Sequence, residues 1–297
     1  MKDTYYTRRK FLKDTAAAAA AGALYMTLPK KVYGKSETKT RVILIRNKNV
    51  LDSIHRPKPE IVQQMLDEAI TALLDEKDPK TAWRKLIHPA DTVGIKSNEW
   101  SYLPTPEALE SSIKKRVMDT GVSEKKISIN DRGVLYDPIF KKSTALINVR
   151  PIRTHYWSGV GSLLKNYIMF SRLPFSHHGD SCADLAEIWK FPIVSGKTRL
   201  NILVLFTPLF YGSGPHHFNP KYTWPYQGML VGIDPVAVDS VGVRILQAKR
   251  KEYFREDRPI NPPPKHILLA DTRHNLGTAD PSKIDLIKIG WKESILI

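Results

Sequence analysis

The chain has 297 residues, 42% hydrophobic and 26% charged, the ordinary balance of a soluble globular protein with a sizeable core. Its single cysteine, Cys182, excludes an intramolecular disulfide, a cysteine zinc cluster and an iron–sulfur cluster. The net charge of +16 asks for an anionic partner, but no basic helix or reading element accompanies it, so nucleic acid is not the expected partner.

The first element in chain order is a targeting segment. Paired Arg8-Arg9 is followed by Lys10, Phe11, Leu12 and Lys13, then an Ala-rich run from Thr15 to Leu28, and the whole resembles a twin-arginine export signal. The run is too short and too weakly apolar for a membrane span, and Val32-Tyr33-Gly34 offers a cleavage region. Residues 1–34 are therefore read as the signal segment, 35–41 as a basic linker and 42–297 as the folded domain. The twin-arginine machinery is the expected export partner, the expected location is periplasmic, and no transmembrane span is expected in the mature chain. Seven Lys/Arg and two Asp fall in residues 1–34, so five of the sixteen net charges belong to that segment.

Arg41–Asn47 is β-rich. KPEIVQQMLDEAITALLDE then places Ile61, Val62, Met65, Leu66, Ala69, Ile70, Leu73 and Leu74 at helical spacing. AWRKLI reads as a second short helix, and Asp91–Asn98 as a buried strand. TPEALESSIKKRVMDTG opens on a helix start signal and ends at Gly121. KISIND and TALINVRPI are strands, GVGSLLKNYIMF is predicted helical, and a polar loop from Ser171 to about Asp184 precedes a short helix, LAEIWKF. The strand LNILVLFTPLFYG leads into a Gly/Pro/His loop, the strand MLVGI, a helix opening at Asp234-Pro235, a proline-rich segment, an apolar ILLA run and a terminal strand, IDLIKIG. Asp before Pro is an N-cap followed by a residue with no N–H to leave unpaired. Strands alternating with helices predict a single large α/β domain, its sheet mostly parallel or mixed and flanked by helices.

Four stretches deliver polar residues at strand ends or helix starts, where open α/β sheets bind ligands. They are Lys96 and Asn98; Asn130, Asp131 and Arg132; His155 with Lys165 and Asn166; and Asp234 with Asp239. Asp239 is the oddest, a carboxylate among Val236, Val238, Val241 and Val243. Such a group is costly unless something receives it.

AWRKLIHPADTVGIKSN, ALINVRPIRTH…SGVGSLLKNY, MLVGIDPVAVDSVGVRIL and LGTADPSKIDLIKIGW, in this order, resemble the DUF362 family of uncharacterised proteins over most of residues 42–291. The family's G-I-K-x-N falls on Gly94, Ile95, Lys96 and Asn98, and its D-P-V-A-V-D on Asp234 to Asp239. Its K-T-H becomes Arg153-Thr154-His155, and its T-G-x-x-x-x-x-K-N becomes Ser158-Gly159 through Lys165-Asn166. Where the family often has aspartate this chain has Val204. Some relatives carry a ferredoxin-like segment with two iron–sulfur clusters, whose cysteines are missing here.

The expectation is an exported protein, foremost an enzyme with a polar cleft at the strand ends. Catalysis is assigned to His155 as acid/base, Asp239 and Lys165. Ligand binding is assigned to Lys96, Asn98, Asp131, Arg153, Asn166 and Asp234, with an anionic small molecule as ligand. The alternative is a non-catalytic binding or maturation protein that docks on a periplasmic redox partner. His177-His178 and His216-His217 invite a metal reading, and His155, His177, His178 and Asp239 are the candidate ligands for a divalent ion. Cys182 is read as a half-buried spectator thiol rather than a nucleophile.

Overall fold

A computed structural model describes residues 39–212, 214 and 217–297. Residues 1–34, where a signal segment is expected, residues 35–38 of the expected linker and His216 lie outside the described residues. The described chain forms an eight-stranded mixed sheet with helices on both faces, the expected α/β class. Its strands are β1 (Thr40–Arg46), β2 (Val93–Lys96), β3 (Ile127–Asn130), β4 (Ala145–His155), β5 (Gly159–Gly161), β6 (Thr198–Leu209), β7 (Gly228–Gly232) and β8 (Ile284–Gly290). The order is β3-β2-β4-β6-β7-β1-β8, with β5 paired antiparallel to β4. Along this path only β7 runs against its neighbours, β6 and β1.

Helix α1 (Pro59–Leu74) buries Val62, Met65, Leu66, Ala69, Ile70 and Leu73, the face its spacing predicts. With α2 (Pro79–Leu86) and α3 (Glu107–Asp119) it covers the sheet face that carries Ile43, Ile45, Ile147 and Val149. Leu44, Leu146, Ile152 and Leu203 face the other side. That side is closed by α4 (Pro138–Lys142), α5 (Leu163–Asn166), α6 (Pro235–Phe254) and α7 (Lys265–Thr272). Among the described residues no helix is long and apolar enough to cross a membrane.

Three readings change. GVGSLLKNYIMF is not one helix: Gly159–Gly161 is strand β5, and the helical turns begin only at Leu163. Gly159 sits at φ +72°, and a Cβ there would stand 2.2 Å from the Pro262 carbonyl oxygen, so the chain reverses where a side chain has no room. LAEIWKF is a 3-10 segment, Leu185–Lys190, and ILLA lies in α7. Strand β4 runs past TALINVRPI to His155 and is buried throughout. It carries Pro151 in mid-strand, where no N–H can join a ladder, and its register with β6 shifts between Pro151 and Arg153. This irregularity turns the last residues of β4, Arg153 to His155, relative to the strand before it.

Candidate functional site

Strands β2, β3 and β4 are parallel, so their carboxyl ends share one edge, and Lys96 lies in register with Asn130 and Asn148. Lys96 is wholly buried and pairs with Asp131, which follows β3. Its ammonium also donates to the Ser97 carbonyl at 2.7 Å and to Asn166 Oδ1 at 3.4 Å. The second oxygen of Asp131 accepts the Glu99 backbone N–H at 2.9 Å. Burial pulls the Lys96 ammonium down to about 8 against the attraction of Asp131. Burial pushes the Asp131 carboxyl up, but Lys96 and the Glu99 N–H outweigh it and hold the group below its ordinary value.

A row of amides continues from this pair into the sheet. Asn166 donates to the Lys96 carbonyl at 3.2 Å and to Asn148 Oδ1 at 2.9 Å. Asn148 donates to Asn201 Oδ1 at 3.3 Å and to the Leu163 carbonyl at 3.1 Å, and Asn201 donates to the Ile233 carbonyl at 2.8 Å. Every one of these amides is buried and bonded, which fixes α5 to the strands beneath it.

Beside the row lies a basic cluster. Arg150 and Arg153 come from β4, and Lys165 comes from α5. Arg150 Nη1 donates to the Ser162 carbonyl at 3.2 Å, while its Nη2 is buried with no hydrogen-bond partner among the described residues. Arg153 Nη1 donates to Asn98 Oδ1 at 2.9 Å, its guanidinium lies 4.2 Å from the Trp100 ring centre, and its Nε is likewise buried and unpartnered among those residues. Thr154 Oγ1, between them and His155, is a third such atom. Lys165, 4% exposed, donates to Cys182 Sγ at 3.3 Å. Among the described residues none of Arg150, Arg153 and Lys165 makes an ion pair with a carboxylate. Burial, with some help from the neighbouring arginines, pulls the Lys165 ammonium down to about 8, and burial lowers Arg150 to about 10.

His155 belongs to this cluster. Burial first, then the charges of Lys165, Arg153 and Arg150, drive its imidazolium down to about 2, so the ring is neutral. The Trp157 backbone N–H donates to Nδ1 at 3.2 Å, so the ring proton sits on Nε2. In this arrangement the neutral ring offers its Nε2–H as a hydrogen-bond donor.

The two aspartates of the DPVAVD stretch are both caps. Asp234 Oδ1 accepts the Val236 and Ala237 N–H groups that open α6, and Oδ2 accepts the Thr278 N–H at 2.8 Å. Its carboxylate is therefore spent on backbone rather than ligand. Asp239 reaches across to α5: it accepts the Ser162 hydroxyl at 2.7 Å and the Leu163 and Leu164 N–H groups at 2.9 Å each. It is fully buried, and desolvation raises it to about 6 despite those three donors. Asp239 thus pins the first turn of the helix that presents Lys165 and Asn166.

The candidate divalent-metal ligands have other partners among the described residues. His177 Nε2 contacts Ser171 Oγ at 2.9 Å, His178 Nδ1 donates to the Phe175 carbonyl at 3.0 Å, and Asp239 is occupied as described. Among the described residues no three His, Cys, Asp or Glu side chains converge as a metal donor set.

A cavity of about 850 Å³ opens along the carboxyl end of β4, with Thr154, Tyr102, Phe218, Tyr211, Arg258 and Asn261 among its walls. That is ample for a small-molecule ligand, and Thr154 joins it to the site residues, while Arg150, Arg153 and Lys165 are not among its walls. Val204 lies away from it, on a small cavity of about 80 Å³ with Leu51, Leu103, Pro151 and Phe206.

The structure thus gathers Lys96, Asn98, Asp131, Arg153, His155, Lys165 and Asn166, and leaves Asp234 apart. Arg150, Asn148, Asn201, Ser162 and His266 escaped sequence reasoning. The signal for Arg150 was present, since two arginines in the apolar strand TALINVRPIRTH cannot both reach solvent from a central position. No known family, curated protein or solved structure gives a significant match to this chain.

Proposed function

We propose that this chain is an enzyme that binds a small carboxylate-bearing substrate at the carboxyl edge of β2, β3 and β4. The observation that carries the reading is the buried cluster of Arg150, Arg153 and Lys165, which makes no ion pair with a carboxylate among the described residues, Asp131 and Asp239 acting on the arginines only through space, and in which Arg150 Nη2 and Arg153 Nε have no hydrogen-bond partner among those residues. Buried guanidinium hydrogens without an acceptor are costly, and a planar carboxylate is the group their fork geometry fits. Lys165, at about 8, is matched to proton transfer near neutral pH, and His155 supplies a neutral Nε2–H donor. Lys96, Asp131, Asn98 and Asn166 hold these groups in place.

The order of motifs supports a DUF362-type assignment, and the Arg8-Arg9 segment supports twin-arginine export to the periplasm; both belong to this proposal. Val204, at a position where the family often has an acid, favours the second reading, a non-catalytic carrier of the same ligand class.

Oxalate titrated calorimetrically into the protein, against chloride at equal ionic strength, tests the site. Saturable one-site binding is expected, weakened about ten- to a hundredfold in Arg153→Met. Absence of binding, or binding indifferent to Arg153→Met, would overturn the proposal. Turnover in a panel of small carboxylic acids then separates the enzyme from the carrier.

A further inference from the structure

We propose that Lys165 is a covalent nucleophile toward a 2-oxo acid, whose carbonyl carbon stands next to the carboxylate held by Arg153 and Arg150. This rests on the anionic-substrate reading above and adds the substrate class and the bond that forms. Two buried lysines occupy the site, and their surroundings separate them. Lys96 is locked to Asp131, the Ser97 carbonyl and Asn166, and is wholly buried. Lys165 has the Cys182 sulfur for its partner, at 3.3 Å; that contact favours the ammonium, but burial pushes the thiol up and no carboxylate among the described residues pairs with Lys165. Arg150 and Arg153 lie near enough to disfavour its charge further. A lysine desolvated beside other cations is the setting in which an amine becomes a carbonyl nucleophile. With the ammonium near 8, roughly a tenth of Lys165 is free amine at neutral pH.

His266 adds an independent observation. It is completely buried on α7, both ring nitrogens lack a hydrogen-bond partner among the described residues, and it is close enough to feel the charge of Lys165. A polar group of a substrate bonded to Lys165 would answer one of those nitrogens.

In the step itself the Lys165 nitrogen lone pair forms an N–C bond to the carbonyl carbon, and the C=O π pair moves to oxygen. Two protons from the amine nitrogen join that oxygen, the C–O bond breaks, and water leaves. A C=N bond remains, and no oxidant or reductant is consumed. The neutral His155 Nε2–H is available to the oxygen as it gains charge.

The full chain is incubated with pyruvate and sodium borohydride, digested, and every lysine is read by mass spectrometry. A reduced adduct concentrated on Lys165 is expected, slowed by oxalate and forming faster as pH rises through about 8. Loss of that adduct in Lys165→Met, with unchanged labelling of surface lysines, supports the assignment; wild-type mapping and oxalate protection stand without the variant should it fail to fold. Oxalate binding without an adduct on Lys165 overturns this inference and leaves the anion site standing. Absence of both overturns both. An adduct on Lys165 that oxalate does not slow overturns the shared site and hence the 2-oxo acid class.

Discussion

Replacement of Asp239 by alanine separates a cap from a catalyst. Among the described residues the carboxylate is the only acceptor for the Leu163 and Leu164 N–H groups, and it holds the Ser162 hydroxyl, all buried. The hydroxyl can rotate to another acceptor, but the two backbone donors cannot, and each buried donor left unpaired costs about 1–3 kcal/mol. Asp239→Ala is therefore expected to lose about 3 kcal/mol in urea or guanidinium unfolding, and Asp239→Asn somewhat less, since one amide oxygen remains to accept. The pH dependence gives an independent check. In the folded state this carboxyl is raised from 3.8 to about 6, so the fold favours its protonated form. Its contribution is fully present below about pH 4 and is lost as pH rises from about 4 to about 6, a fall of about 3 kcal/mol by linkage. That fall should appear in wild type minus variant and nowhere else. A variant within about 0.5 kcal/mol of wild type, with the same slope between pH 4 and 6, would refute the capping role and return Asp239 to the active-site residues.

Asp131→Asn leaves the wholly buried Lys96 ammonium without its anion and is expected to cost about 3–5 kcal/mol in the same assay. Lys165→Met should do the opposite. The folded-state ammonium is lowered from 10.5 to about 8, so wild type gains stability as pH rises between those values. The variant should lack that rise and be more stable at pH 7 by about 1–3 kcal/mol, while losing the pyruvate adduct. Gly277→Ala places a Cβ about 2.0 Å from Asp234 Oδ1, so thermal unfolding should show the α6 cap broken, at a cost of about 2 kcal/mol or more.

Local patterns in this sequence were readable. The apolar spacing of α1, the Asp234-Pro235 start of α6 and the strand–helix alternation each follow from residues close in the chain, and each stands in the structure. What escaped depends on distant partners. Asp239 looked like an unpaired acid because its donors, Ser162 to Leu164, lie more than seventy residues earlier. The amide row of Asn166, Asn148 and Asn201 joins one helix to two strands, and no spacing announces it. GVGSLLKNYIMF misled because Leu163, Leu164, Tyr167 and Ile168 carry a helical period, whereas Gly159 and Gly161 pair with β4. The neutrality of His155 was not legible, since it comes first from burial and then from the charges of Lys165, Arg153 and Arg150 that the fold brings to it.

The central claim is that a buried amine and two arginines face one carboxylate. Calorimetry of oxalate binding at pH 8, repeated in buffers of different ionisation enthalpy, tests it most directly. A bound dianion favours protonated Lys165 and raises its pKa from about 8, so binding should take up a fraction of a proton. That uptake should vanish in Lys165→Met. Oxalate that fails to bind, or that binds with no proton uptake in wild type, would contradict the account.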